Sequence, residues 1–142
     1  MEYKKIEVKK KPFAWRVLPW LYRYTAQALY PNIYVSPKVY ENLQTKNPNP
    51  KNIAILEHEK KHIERQKEMG LFIFGVKYLF SPKFRLQEEL LAIREGMRVY
   101  KKNNLNFDIN RSAKFLSSWL YLWMTSYENA KKELEKIWGE FT

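Results

Sequence analysis

The stretch NPKNIAILEHEKKHIERQKEMG, residues 49–70, decides the fold. Asn49 can cap a helix, Pro50 fits the first helical turn because the N–H it lacks has no helical partner there, and Gly70 stops the pattern. The residues between predict one long helix from Pro50 to about Glu68, with His58-Glu59-Lys60-Lys61-His62 at its middle. Side chains four apart share a helix face, so His58 and His62 can both offer a ring nitrogen to one ion. The five-residue pattern is common in itself. Here it gains weight because these are the only two histidines in the chain and they follow a helix-start signal.

Upstream, Gln44–Pro50 (QTKNPNP) reads as a loop, since Asn-Pro pairs begin turns and disfavour helix before them. Asn32-Ile33-Tyr34-Val35-Ser36 reads as a strand ending before Pro37, and Lys38–Leu43 as a helical turn. Residues 12–30, PFAWRVLPWLYRYTAQALY, repeat Trp15, Leu18, Tyr22 and Leu29 at near-helical spacing, which predicts one or two short helices split at Pro19. Downstream, the apolar segment Leu71–Phe80 reaches a break at Ser81-Pro82. Leu86, Leu90, Ile93 and Met97 then mark one face of a helix ending near Asn103. After the loop KNNLNFDIN, Ser112 is expected to cap a last long helix whose Phe115, Trp119, Trp123, Tyr127, Ala130, Leu134 and Ile137 form a core stripe. No repeat or linker divides the chain. Residues 1–142 read as one domain, α+β and mostly α, led by a flexible basic segment, 1–11.

Composition narrows the function. Of 142 residues, 45% are hydrophobic and 16% aromatic, enough to bury a core. There is no cysteine, which removes disulfides and thiolate ligands and fits a cytoplasmic protein. Arg16, Pro19 and Arg23 break up the early apolar stretch, so it reads poorly as a signal peptide. Met69–Phe80 is too short to span a bilayer. The net charge of +11, from 26 basic and 15 acidic residues, attracts something acidic: nucleic acid, anionic lipid or an acidic substrate. A nucleic-acid-binding module is thus a competing reading. It ranks lower because no recognisable motif accompanies the charge and the aromatics sit at helix-core spacing. Peripheral contact with an anionic membrane, through Phe13–Tyr24 with Lys4, Lys5 and Lys9–Lys11, is compatible with either reading.

Two helical histidines flanking a glutamate suit zinc-assisted hydrolysis. The ion lowers the pKa of a bound water from 15.7 to about 7 and polarises a carbonyl, and Glu59 stands where a general base would take that water's proton. A purely structural zinc site, serving a non-catalytic interaction module, has no need of Glu59. A catalytic zinc needs a third protein ligand, and without another histidine or any cysteine it must be a carboxylate. Glu88, Glu89, Glu95 and the only aspartate, Asp108, are the candidates. The longer motif with a third histidine is excluded, because Arg65 stands where it requires Gly and Glu68 where it requires His.

His58-Glu59-Lys60-Lys61-His62 followed, beyond residues 63–88, by Glu89-Leu90-Leu91-Ala92 resembles the gluzincin metallopeptidases, and the element order over about residues 32–138 is similar to the compact minigluzincins. That resemblance implies a small zincin-like domain with a short sheet, an active-site helix, a glutamate helix and a long C-terminal helix. It implies zinc held by His58, His62 and Glu89, with Ala92 allowing close helix packing, and cleavage of a peptide or protein substrate. Ile93 departs from the Asp that several gluzincin groups carry there, so a carboxylate contact behind the metal is either missing or supplied elsewhere, which keeps Glu88 open as the ligand. The strand before the active-site helix usually pairs with substrate in such families, which assigns Ile33, Tyr34 and Val35 to substrate binding. Tyr100, Tyr121, Tyr127 and Arg94 are the candidates for stabilising an oxyanion. The resemblance further implies a latent state, for which the tail Ile137-Trp138-Gly139-Glu140-Phe141-Thr142 is the segment expected to fill the cleft.

Overall fold

The computed structural model describes residues 7–12 and 26–141. The helices expected over residues 13–25 and the membrane contact through Phe13–Tyr24 lie outside the described residues. The architecture is α+β and mostly helical, with one three-stranded sheet. Strands β1 (Glu7–Lys10), β2 (Ala26–Leu29) and β3 (Asn32–Val35) are followed by helices α1 (Pro37–Leu43), α2 (Pro50–Met69), α3 (Leu71–Phe80), α4 (Pro82–Lys102) and α5 (Ile109–Leu116). A 3₁₀ turn, Trp119–Tyr121, then leads to α6 (Tyr127–Gly139).

The cap read from sequence on α2 forms as expected, and the break at Ser81-Pro82 falls at the start of α4. Asn49 accepts a hydrogen bond from the Lys51 amide at 2.9 Å, Pro50 occupies the first turn, and Gly70 ends α2 with φ +89°, a conformation that disfavours any side chain. Ser81 caps α4, accepting from the Phe84 amide at 3.2 Å. These two long helices form the most extensive contact in the molecule. They come close at Gly96, where a Cβ would stand in contact with the Ala54 carbonyl oxygen at 3.4 Å and leave no room for a larger side chain. Ala92, wholly buried one turn earlier, adds no bulk to α4.

One core lies on either side of this helix pair. Ile33, Val35, Val39, Ala26 and Ile63 pack between the sheet and α2. Ile93, Met97, Ala113, Leu116, Met124, Ala130 and Leu134 pack between α4 and the C-terminal helices. Each fully buried Ile, Leu or Met contributes roughly 1.5–3 kcal/mol by leaving water.

Three local expectations are corrected. Residues 26–29 form a strand instead of the end of a helix. The strand pairs antiparallel with β3, and Gln66 on α2 pins it by donating to the Ala28 carbonyl at 3.1 Å while accepting from the Tyr30 amide at 2.8 Å. Within the segment read as flexible, Glu7–Lys10 pair parallel with β3, from Glu7↔Asn32 to Lys10↔Val35. The last helix is not continuous. The Ser117 and Ser118 hydroxyls turn back onto the Ala113 and Phe115 carbonyls at 2.8 and 2.6 Å and end α5, Leu122 and Trp123 take left-handed backbone, and Ser126 caps α6. Of the expected core stripe, Ala130 and Leu134 are buried, whereas Phe115, Trp119 and Trp123 face outward.

Candidate metal centre

His58 and His62 project from one face of α2 toward α4, which places Glu89 opposite them. The two Nε2 atoms stand 3.2 Å apart. Glu89 Oε2 is 3.4 Å from His58 Nε2, and Glu89 Oε1 is 3.4 Å from His62 Nε2. These three residues form a group able to hold a metal ion, one ligand atom from each lying within 4.8 Å of the others. The two 3.4 Å separations run to different oxygens of Glu89, and each is close to the roughly 3.3–3.4 Å between ligands that stand about 2.0–2.1 Å from a tetrahedral zinc. A second sign is a pair of buried atoms without hydrogen-bond partners among the described residues, His62 Nδ1 and Glu89 Oε2.

The neighbouring glutamates on α4 have separate roles because successive helical residues point about 100° apart. Glu88 turns to Arg65, taking hydrogen bonds from Nε at 3.0 and 3.1 Å and from Nη2 at 2.8 Å. Glu95 pairs with Arg98, and Asp108 caps α5 by accepting from the Arg111 amide. Of the four candidate carboxylates, only Glu89 stands with the histidines. Tyr78, reaching in from α3, donates its hydroxyl to Glu89 Oε1 at 2.5 Å and orients the carboxylate.

The charges are strongly coupled. Burial opposes the charge on Glu89, but the two imidazoles outweigh it and hold the carboxyl well below the usual range. Burial likewise disfavours a His62 imidazolium, yet the Glu89 carboxylate beside it prevails and pushes its pKa up to about 9. Glu59 behaves differently: burial dominates and raises its pKa above the ordinary carboxylate value, although His58 and His62 pull it down. Lys11, also buried, is lowered to about 8 by desolvation, partly offset by the Glu59 charge it faces.

A cleft in two lobes crosses the centre. One cavity of about 480 Å³ is lined by Lys51, Tyr100, Phe107 and Arg111. The other, of about 610 Å³, is lined by the whole of β2 together with Leu71, Tyr78 and Leu122. His58, Glu59, Ala26 and Tyr121 line both. Among the oxyanion candidates, Tyr121 sits at this junction and Tyr100 in the first lobe, whereas Tyr127 bonds Asn110 and Arg94 pairs with Glu140.

The substrate-binding assignment of Ile33, Tyr34 and Val35 is corrected. β3 is the middle strand of the order β1-β3-β2, so both its edges are paired, and Ile33 and Val35 are fully buried. The strand along the cleft is β2. The tail expected to fill the cleft packs elsewhere: Ile137, Trp138 and Phe141 join the C-terminal core, with Lys101 over the Trp138 ring and Arg94 and Arg98 over Phe141. Thr142 lies outside the described residues.

Sequence reading missed Tyr78 and Lys11. Tyr78 lies in a run of apolar residues and Lys11 in a basic one, so neither carried a distinguishing signal. Comparison with protein-family models, curated proteins and solved structures finds no match for this chain.

Proposed function

We propose that the chain is a zinc-dependent metallopeptidase of gluzincin-like design, with His58, His62 and Glu89 as metal ligands and Glu59 as general base. The observation that carries this reading is the meeting of two imidazoles and one carboxylate, one ligand atom from each within 4.8 Å of the others, beside Glu59 in an open cleft. A nitrogen-rich donor set with one carboxylate favours zinc over calcium or magnesium, which take oxygen ligands. Bound there, the ion supplies Lewis acidity and a water acidic enough to ionise near neutral pH.

The chain's own residues supply the rest. Glu59 takes a proton from water and returns it to the leaving amine, and its burial-raised pKa suits a group that must do both near neutral pH. The Lys11 charge favours its ionised form. Tyr121, which lines both lobes, is our choice for the donor to a developing oxyanion. Substrate backbone pairs with the outer edge of β2. The Ala28 carbonyl already turns to that edge to meet Gln66, and antiparallel alternation turns Ala26 the same way, beside Glu59. A cleft with lobes on both sides of the centre suits a chain running through it, hence internal cleavage.

The test is a mixture of unstructured peptides incubated with zinc-loaded protein and with Glu59→Gln and His62→Ala variants. Cleavage in the wild type, loss of cleavage with retained zinc in Glu59→Gln, and loss of zinc in His62→Ala are expected. Undiminished cleavage by Glu59→Gln overturns the assignment of the base, and a wild type that takes up no zinc overturns the reading.

A further inference from the structure

The helix α3 is the least economical part of the fold. It packs through Phe74 and Tyr78, with Phe74 against Tyr78 and Phe84 at ring separations of 5.7 and 5.6 Å. The rest of LFIFGVKYLF is left in the open. Phe72, Val76 and Phe80, spaced i, i+4 and i+8, form one line along the helix, and Phe72 is 83% and Phe80 77% exposed. Leu71 and Leu79, on the side facing the cleft, are also exposed. Across the same cleft stand Trp119 and Leu122, both half exposed, with Trp123 beside them at 73%. Leu122 and Trp123 both have positive φ, 56° and 49°, so the backbone turns sharply where these side chains project. Together these residues form an apolar collar around the larger lobe, where water-soluble chains rarely leave so many aromatics uncovered.

Along the collar's own segments the charge is of one sign, although Arg85 among these residues is buried. Residues 69–87 contain Lys77, Lys83 and Arg85 and no acidic residue. Residues 109–127 contain Arg111 and Lys114 and again none. Lys77 and Lys83 are exposed. Aromatic and aliphatic side chains surrounded by cations match the acyl–headgroup boundary of an anionic bilayer. A second copy of the chain fits poorly, since two surfaces of the same positive sign, on molecules of net charge +11, would face each other.

We infer that the collar formed by α3 and Trp119–Trp123 seats the protein on an anionic membrane surface, with the mouth of the larger lobe against the bilayer. Phe72, Phe80 and Trp123 enter the boundary region, and Lys77, Lys83 and Lys114 meet lipid phosphates. This docking is independent of catalysis. Its consequence, that substrates are polypeptide segments lying at the bilayer surface, rests on the peptidase reading above.

The experiment is co-sedimentation of zinc-loaded full-length protein with vesicles of phosphatidylcholine alone or mixed with phosphatidylglycerol. Sedimentation with the mixed vesicles, weakened by salt and absent with pure phosphatidylcholine, is expected. Phe72→Ser/Phe80→Ser/Trp123→Ser should lower the partition coefficient at least roughly tenfold, since burying even one such side chain is worth that much. Its zinc content should be unchanged, as none of the three is a ligand. Should that variant fail to fold, the conservative Trp119→Phe/Trp123→Phe pair decides the matter, because it should remove most of the quenching of tryptophan emission by bromine-labelled lipid. No sedimentation with anionic vesicles overturns the proposal. So does quenching undiminished in the tryptophan pair, or a self-association of the wild type that the serine variant abolishes. Cleavage of soluble peptides by the serine variant reports on the peptidase reading separately.

Discussion

Arg65→Ala should destabilise the protein severely and leave its metal affinity intact. Glu88 is 2% exposed, and the Arg65 guanidinium donates three hydrogen bonds to it at 2.8–3.1 Å. Removing one member of a buried pair leaves an uncompensated charge and costs about 3–5 kcal/mol. Arg65 is itself partly exposed, so water reaches the gap and the lower end, about 3 kcal/mol, applies. With an unfolding entropy of about 2.1 cal/mol/K per residue, the 142 residues give about 0.3 kcal/mol/K, and the melting temperature should fall by roughly 10 °C. Thermal melts followed by circular dichroism measure this, and competition with a chromophoric chelator measures zinc affinity. Arg65→Ala/Glu88→Gln should recover most of the loss, because a neutral amide is far cheaper to bury than a lone carboxylate. A shift of only one or two degrees in the single variant would show that Glu88 does not depend on Arg65. Zinc affinity falling as far in Glu88→Gln as in Glu89→Gln would return the ligand role to Glu88 and refute the division of labour between them.

Tyr78→Phe should weaken zinc binding by about 10–100-fold, the usual effect of removing a partner that orients a ligand, and unchanged affinity in the same competition assay would leave Tyr78 only a packing role. Gly96→Leu should cost about 1–3 kcal/mol in urea unfolding by forcing α4 away from Ala54, and because α2 and α4 carry opposite halves of the centre it should weaken zinc binding too. Metal-free protein should lose stability as pH rises. The His62 imidazolium is held to about 9 in the fold, against about 6.5 in an unfolded chain. The folded state therefore binds that proton more tightly, and the contribution is complete below about pH 6.5 and gone above about pH 9. Urea midpoints of chelator-treated protein should fall from about pH 6.5 to about pH 8, above which the lowered Lys11 acts in the opposite sense, and a rise between these values would contradict the charge arrangement around Glu89.

Much of the centre was legible in the sequence because it depends on local rules. The start of α2 follows from Asn49 and Pro50, its end from Gly70, and the pairing of His58 with His62 from helical spacing. The break before α4 follows from Ser81-Pro82. Each of these is settled within a few residues, where backbone geometry and capping leave little freedom. The same rules read the C-terminal aromatics as one stripe. Helical spacing says which residues share a face only while the helix lasts, and the hydroxyls of Ser117 and Ser118 end it.

The remaining questions concern residues far apart in the chain. Glu88 and Glu89 are chemically identical neighbours, and only the packing of α4 against α2 turns one to Arg65 and the other to the histidines. Strand order is equally non-local: nothing within residues 32–36 says that β1 and β2 would take both edges of β3 and leave β2 along the cleft. Hydropathy marked Leu71–Phe80 as apolar without saying whether it would be covered. The sequence by itself determined the helix α2 and its histidine pair, because those are short-range properties of the backbone. The carboxylate that joins the histidines, the edge that faces the cleft and the exposure of the collar were decided by the tertiary structure, because each depends on which distant surface a side chain meets.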